Sequence, residues 1–166
     1  DFKDRALFEG AKFSGAVGFT SVCFIDEAVF NSALFEDMCD MEGLEFEQAE
    51  FCRVQFKSLA NFRYCKFDEL VDFTKSEFEG RAVFEDANFD RGADFDSVKF
   101  KGAGAFEGAR FLKHAFFTNT VFHGIADFDK SKFKQHADFR KSVFHEALEF
   151  RHANVESAAH FNYAFF

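Results

Sequence analysis

Phenylalanine recurs along this chain in alternating steps of six and five residues, which makes the true repeat eleven residues long. The series begins with Phe2, Phe8, Phe13, Phe19 and Phe24. Carried to Phe166 it marks 31 positions, of which 29 are Phe, and only Met41 and Val155 differ. A short repeat with two large apolar residues indicates a solenoid, because one unit is too small to bury its own apolar face and must stack on its neighbours.

A second constraint applies two residues before each position of the series. That residue is Ala at 16 of the 30 sites that have one, and it is never charged. The residue in between is freely polar or charged, as in Ala126-Asp127-Phe128. Side chains therefore alternate inward, outward and inward, a two-residue period that predicts short β-strands rather than helices.

Stretches such as Ala87-Asn88-Phe89-Asp90-Arg91 and Ala137-Asp138-Phe139-Arg140-Lys141 resemble the pentapeptide-repeat family residue by residue, and the resemblance covers the whole chain. It implies an all-β fold, a right-handed, four-sided β-helix with one unit on each side. Because every second unit here has six residues, we expect 22-residue coils that each contain two eleven-residue repeats, 7 to 8 coils in all, and an extra residue that bulges outward at two opposite corners. The alternative is a flat two-sided solenoid with one eleven-residue repeat per coil, as in some ice-binding proteins, but the four scattered Thr cannot form the Thr ladders of such proteins.

The series continues without a linker, so we expect one domain over residues 1–166. No apolar run approaches the ~20 residues of a membrane span. Cys39 and Cys65 occupy the small inward site, whereas Cys23 and Cys52 should face solvent on different sides. Free thiols fit a reducing compartment, so a cytoplasmic location is expected. Because the chain starts at Asp1 rather than Met, we also expect a processed protein or a piece of a longer repeat.

The net charge of −9 is concentrated in one segment. No Lys or Arg occurs between Phe13 and Cys52, and the segment contains a candidate surface for a basic protein partner composed of Glu36, Asp37, Asp40, Glu42, Glu45, Glu47 and Glu50. The alternative is a solvated face that keeps the rod soluble. The Phe series also changes in this segment, because three consecutive five-residue steps separate Met41, Phe46, Phe51 and Phe56.

All six His follow residue 113, and two pairs, His114 with His136 and His123 with His145, are each separated by the length of one expected coil. Each pair should stack on one face, but two imidazoles without a nearby carboxylate make a weak metal site. We therefore expect no metal. The sequence has no catalytic constellation, no phosphate-binding Gly motif and no evident basic stripe, so we expect neither an enzyme nor a cofactor nor direct nucleic-acid binding.

These features favour a non-catalytic β-helical scaffold that binds other proteins. The resemblance implies an alternative, since some pentapeptide-repeat proteins mimic B-DNA, occupy the DNA-binding groove of gyrase and confer quinolone resistance. In this chain the acid is confined to one segment, which argues against mimicry. A third hypothesis is self-assembly, most simply a homodimer through the aromatic residues of the last coil, namely Phe161, Tyr163, Phe165 and Phe166.

Overall fold

The computed structural model describes residues 2–20 and 22–166, which form a parallel β-solenoid of about seven turns. Strand partners in successive coils are separated by a 22-residue interval, as for Asn88 and Arg110 or Ala93 and Ala115. The 22-residue coil is confirmed and the eleven-residue coil is wrong. No helix occurs in the described residues.

Each coil contributes one short strand to each of four faces. The strands of the first face are Lys12–Phe13, Leu34–Phe35, Gln55–Phe56, Glu77–Phe78, Lys99–Phe100, Val121–Phe122 and Val143–Phe144. Those of the second face are Val17–Gly18, Cys39–Asp40, Ala60–Asn61, Ala82–Val83, Gly104–Ala105, Ala126–Asp127 and Leu148–Glu149. The third face contains Lys66–Phe67, Asn88–Phe89, Arg110–Phe111, Lys132–Phe133 and Asn154–Val155. The fourth face contains Ala6–Leu7, Val71–Asp72, Ala93–Asp94, Ala115–Phe116, Ala137–Asp138 and Ala159–His160.

Two longer strands, Phe24–Val29 and Glu45–Glu50, run from the third face to the fourth without a break and join them into one 13-stranded sheet. The change in the Phe series lies here. Phe24 pairs with Phe46 at the full coil interval, but Ala28 pairs with Ala49, an interval shorter by one residue. The residue missing from the series is therefore lost at the corner that follows Phe46, and the full interval resumes where Glu50 pairs with Asp72.

Two kinds of corner alternate around the coil. At a five-residue corner a β-turn is closed by a backbone hydrogen bond, as from Ser76 N to the Phe73 carbonyl oxygen at 3.1 Å, and its third residue has positive φ, as Lys75 does at 60°. Six-residue corners are bends, and at one of them a Cβ on Gly102 would lie 2.5 Å from the Gly80 carbonyl oxygen of the preceding coil. The longer corners lie opposite each other, as the alternation of steps predicts.

The core consists of four ladders of Phe rings that run along the rod axis. Phe89 stacks on Phe67 and Phe111 with ring centroids 5.2 and 4.6 Å apart and planes within 5°. Rings of different ladders meet edge to face, as Phe84 and Phe95 do at 5.3 Å and 82°. Both arrangements suit the charge distribution of aromatic rings. The inward assignment of the Phe series is confirmed for the central coils.

Candidate functional site

The seven acidic residues proposed as one docking surface lie on different sides of a single coil. Glu36 and Asp37 lie at the corner between the first and second faces, and Glu50 lies on the fourth face. Of the remaining four, Asp40, Glu42 and Glu45 surround the corner between the second and third faces, and Glu47 lies at the other end of the third face, just after Phe46. The acidic residues therefore form a ring around the rod, and these four carboxylates are concentrated on one part of it.

Neighbouring coils neutralise part of this ring. Lys12 lies one coil away from Glu36, and its Nζ is 2.8 Å from a Glu36 carboxylate oxygen. Hydrogen bonds from Lys12 lower the pKa of Glu36. Asn31 donates to the Glu50 carboxylate at 2.6 Å. The charge count along the sequence thus overstates the charge that Glu36 presents to a partner, whereas the neutral amide of Asn31 leaves the charge of Glu50 uncompensated.

The acidic corner, defined as Asp40, Glu42, Glu45 and Glu47, is organised by a tight turn. The Leu44 N–H donates to the Met41 carbonyl oxygen at 3.2 Å, and Gly43 supplies the positive φ of 70°. This turn places Asp40 and Glu42 on one side of the corner and Glu45 and Glu47 on the other. Within the part of the chain that the structure describes, these four carboxylates form no ion pair with Lys, Arg or His.

A shallow depression of about 360 Å³ opens at this corner, and its lining is formed by Thr20, Asp40, Glu42, Gly43 and Tyr64. Asn61 donates to the Asp40 and Glu42 carboxylates at 3.0 Å each, which holds the two carboxylates together. Tyr64 is 51% exposed, and the Arg63 guanidinium lies 5.1 Å from its ring centroid. The depression thus combines carboxylates with an aromatic ring that already attracts a guanidinium, the two groups that recognise a basic side chain.

Two of the four aromatic residues of the last coil belong to the core ladders and two do not. Phe161 and Phe166 continue the core ladders, stacked on Phe139 at 4.9 Å and on Phe144 at 5.2 Å. Tyr163 lies in a turn with φ of 62°, and Phe165 is the outward residue beside Phe166. Phe165 and Phe166 are 68% and 78% exposed.

Both histidine pairs stack as their spacing of one coil predicts. The ring centroids of His123 and His145 are 4.7 Å apart, and those of His114 and His136 are 5.4 Å apart. The second pair has further neighbours that the sequence did not indicate. His160 departs from the coil spacing, yet its ring centroid lies 5.4 Å from that of His136.

Phe116, which lies outside the Phe series, also belongs to this neighbourhood. It is the outward residue of the strand Ala115–Phe116, and its ring centroid is 5.9 Å from that of His114. Its register partner in the next coil is Asp138, which is only 6% exposed. The separation of Phe116 and Asp138 by one coil length was available in the sequence, but an isolated Phe and Asp gave no reason to relate them.

A carboxylate cluster on the second face brings oxygens of Asp127, Asp129 and Glu149 within 4.8 Å of one another. Arg151 lies among them, 2.7 Å from an Asp129 oxygen and 3.0 Å from a Glu149 oxygen. A guanidinium therefore already occupies the position at which a cation would be attracted. We interpret the cluster as an ion-pair network.

The third face carries a short basic strip that the sequence analysis missed. Arg110 and Lys132 are register partners on adjacent strands, and Lys134 lies beside Lys132. All three are exposed. Asn88 and Asn154 limit this strip to two coils, so it is not a stripe along the rod, and the expectation of no direct nucleic-acid binding stays a prediction.

The four cysteines are free and lie where the repeat predicts. Cys39 and Cys65 are buried, and burial raises the pKa of the Cys65 thiol to about 12. Cys23 is exposed. Cys52 is half-buried and accepts a hydrogen bond from Thr74 Oγ1 at 3.3 Å.

A protein-family profile described as pentapeptide repeats (nine copies) matches this chain at residues 51–99, 84–132, 106–154 and 117–164. These segments overlap and span more than half of the chain. The chain belongs to the pentapeptide-repeat family. No curated protein matches it significantly.

A solved structure of QnrB1, titled a plasmid-mediated fluoroquinolone resistance protein, is similar at 14% sequence identity, covering 98% of this chain and 86% of that one, with a TM-score of 0.26. A similarity this low carries no argument about function. No helix in the described part of the chain has the length and apolar character that a membrane crossing requires.

Proposed function

We propose that this pentapeptide-repeat protein is a non-catalytic scaffold whose acidic corner binds a basic segment of a partner protein. The observation that carries the proposal is the depression at that corner, where Asp40, Glu42 and Tyr64 converge. An Arg side chain fits this set, because a guanidinium can bond a carboxylate through two N–H groups and stack on an aromatic ring.

The charge around the corner supports the same partner. Glu45 and Glu47 extend the negative surface onto the third face, so a segment with several basic residues would meet carboxylates on both sides of the turn. Concentrated charge of one sign raises association rates with oppositely charged partners. Lys66 of the next coil is held by Asp68 at 2.6 Å, so its charge is largely compensated.

The test is a triple reversal, Glu42→Lys, Glu45→Lys and Glu47→Lys, measured by fluorescence anisotropy with a labelled Arg-rich peptide at physiological salt. We expect binding to weaken at least tenfold, whereas circular dichroism should be unchanged because exposed charges contribute about 1 kcal/mol or less to stability.

The matched control reverses three exposed acids that belong to no ion pair in the described structure, namely Glu9, Glu146 and Glu156. Both variants change the net charge equally. A loss of peptide affinity that depends on the acidic corner should therefore appear only in the triple reversal at Glu42, Glu45 and Glu47. Equal weakening in both variants would leave only a solubilising role for the acid.

DNA mimicry is a second candidate, favoured by the net charge of −9. Outside the acidic ring, however, outward charges compensate each other, as where Glu79 accepts from Lys57 at 2.8 Å and from Lys101 at 3.2 Å. A mimic of B-DNA needs negative charge along its length. Inhibition of gyrase supercoiling by micromolar protein would favour mimicry, and its absence would remove this candidate.

Self-association through the last coil is a further proposal, supported by the exposure of Phe165 and Phe166. Apolar rings at the end of a solenoid are suited to contact a second copy, most simply across a two-fold axis.

A further inference from the structure

The fourth face carries a histidine cluster, defined as His114, His136 and His160 with the buried carboxylate of Asp138. The cluster lines a depression of about 390 Å³, whose other walls are Phe116, Arg140 and Asn162. We propose that the three imidazoles of this cluster bind a divalent transition-metal ion such as Zn²⁺, leaving a fourth coordination position for water. Neutral imidazole is a preferred ligand of Zn²⁺, Cu²⁺ and Ni²⁺.

The spacing of His136 from each of its two neighbours suits a shared ion. With Zn–N bonds of about 2.0–2.1 Å and tetrahedral angles, the ring centroids of two imidazoles on one ion lie about 5.2 Å apart. The centroid of His136 is 5.4 Å from that of His114 and 5.4 Å from that of His160. His136 thus lies at a suitable separation from each of its two neighbours, whereas His114 and His160 belong to coils on opposite sides of that of His136 and must both turn toward it to share an ion.

Binding requires rotation of the rings from the stacked arrangement that the structure shows. The rings of His114 and His136 are parallel to within 8°, and parallel rings cannot both direct a nitrogen at one ion. His160 is already inclined by 38° to His136. His114 and His136 are exposed, so their rings can turn about χ2 without displacing core atoms.

The third histidine reaches the pair because of a small residue. Ala158 follows His136 by one coil length, at the place where a further stacked residue would stand, and the Ala137 N–H donates to its carbonyl oxygen at 2.9 Å. The Ala158 side chain is only a methyl group, so it leaves space next to the His136 ring. His160, two residues after Ala158 in the same coil, lies on that side of His136.

Asp138 lies directly beneath His160 in the ladder as its register partner. Arg140 donates hydrogen bonds to the Asp138 carboxylate at 2.6–2.9 Å. This ion pair compensates the guanidinium that would otherwise repel a cation. Acidic groups behind a histidine ligand commonly strengthen metal binding.

The chain contains its own control in the pair His123 and His145. These rings stack on the first face at 4.7 Å with planes within 4°, but no third histidine stacks on them in the described structure. Two exposed imidazoles alone should bind a metal ion weakly. A difference in Zn²⁺ affinity between the histidine cluster and this pair therefore measures what His160 and its surroundings contribute.

The experiment is isothermal titration of the whole chain with ZnCl₂ at neutral pH, in a Cys23→Ser background that removes the exposed thiol. We expect one equivalent to bind. His136→Ala should weaken binding by at least tenfold, since even loss of a group behind a ligand costs about 10–100-fold. His145→Ala should leave the affinity within about twofold, and all proteins should keep the same circular dichroism because both residues are exposed.

Acidification separates histidine from carboxylate ligands. Zn²⁺ binding should weaken strongly when the pH is lowered from 7 to 5, because imidazole must be neutral to bind a metal. Binding that persists at pH 5 would place the ion at carboxylates such as Asp129 and overturn the proposal. Absence of binding by the parent protein, or equal losses in the His136 and His145 variants, would overturn it as well.

Discussion

Truncation of Phe89 to Ala tests whether the stacked rings hold the solenoid together. Phe89 is fully buried in a central coil, with a stacked ring on each side and an edge-to-face contact with Phe95 at 6.1 Å. Removal of a buried Phe side chain costs about 3–5 kcal/mol, and the upper half of this range is expected here, because the β-ladder prevents the neighbouring coils from closing the cavity. That is a large part of the ~5–15 kcal/mol by which domains are stable.

Phe166 provides the internal comparison. Its ring is 78% exposed, stacks on Phe144 and makes a tilted contact with Phe161 at 6.0 Å. Phe166→Ala should therefore cost about 1 kcal/mol, from the small area buried and these two ring contacts. Asn88→Ala, which changes the outward residue beside Phe89, should alter stability by no more than about 0.5 kcal/mol.

Equilibrium unfolding in guanidinium chloride, followed by far-ultraviolet circular dichroism, measures all three variants. Because coils contact only their neighbours, the Phe89 variant should also broaden the transition or divide it into two steps. A Phe89→Ala protein within about 1 kcal/mol of the parent, or no less stable than Phe166→Ala, would refute the argument that continuous ring ladders dominate stability.

Three further predictions concern thiols, pH and assembly. Because burial raises the pKa of Cys65 to about 12, alkylation of the folded protein at pH 8 should modify Cys23 and leave Cys65 unmodified, as peptide mass spectrometry would show. Burial also raises the pKa of Asp94, so the folded protein holds this proton more tightly than the unfolded chain, and the cost of ionising it appears as the pH rises above about 3.9. Asp94→Asn should therefore raise the melting temperature at pH 7 but not below pH 3, and an equal effect at both would contradict the assignment. Phe165→Ser with Phe166→Ser should convert any dimer to monomer by light scattering, and a parent protein that is monomeric at high micromolar concentration would exclude association through this coil.

The inward half of the fold could be predicted from the sequence because it depends on one repeated rule. Phe89 and Ala87 point inward since each inward position carries a large ring or a small side chain at fixed spacing. The prediction of four sides came from the family resemblance, because the periodicity alone allowed a coil of either eleven or 22 residues. The pairing of Asn88 with Arg110 shows that the coil has 22 residues.

The outward half was harder to predict, because neighbours there come from different coils. Glu36 and Glu45 are close in sequence but lie on different faces, so a run of acidic residues did not make one surface. His136 and His160 do not share the coil spacing, so nothing in the interval between them indicated that their rings lie 5.4 Å apart. Arg110 and Lys132 are separated by one coil length, so a comparison of outward residues at the coil interval would have revealed the basic strip.

The short coil has a consequence for how such chains change in evolution. In an ordinary strand, loss of one residue turns every following side chain to the opposite face. Here the loss of one residue after Phe46 is accommodated at one corner. Where Glu50 pairs with Asp72, strand partners are again separated by the full coil interval. Each corner resets the alternation, so insertions and deletions of single residues can be tolerated there while every other side keeps its core, and surface loops can diversify without redesign of the interior.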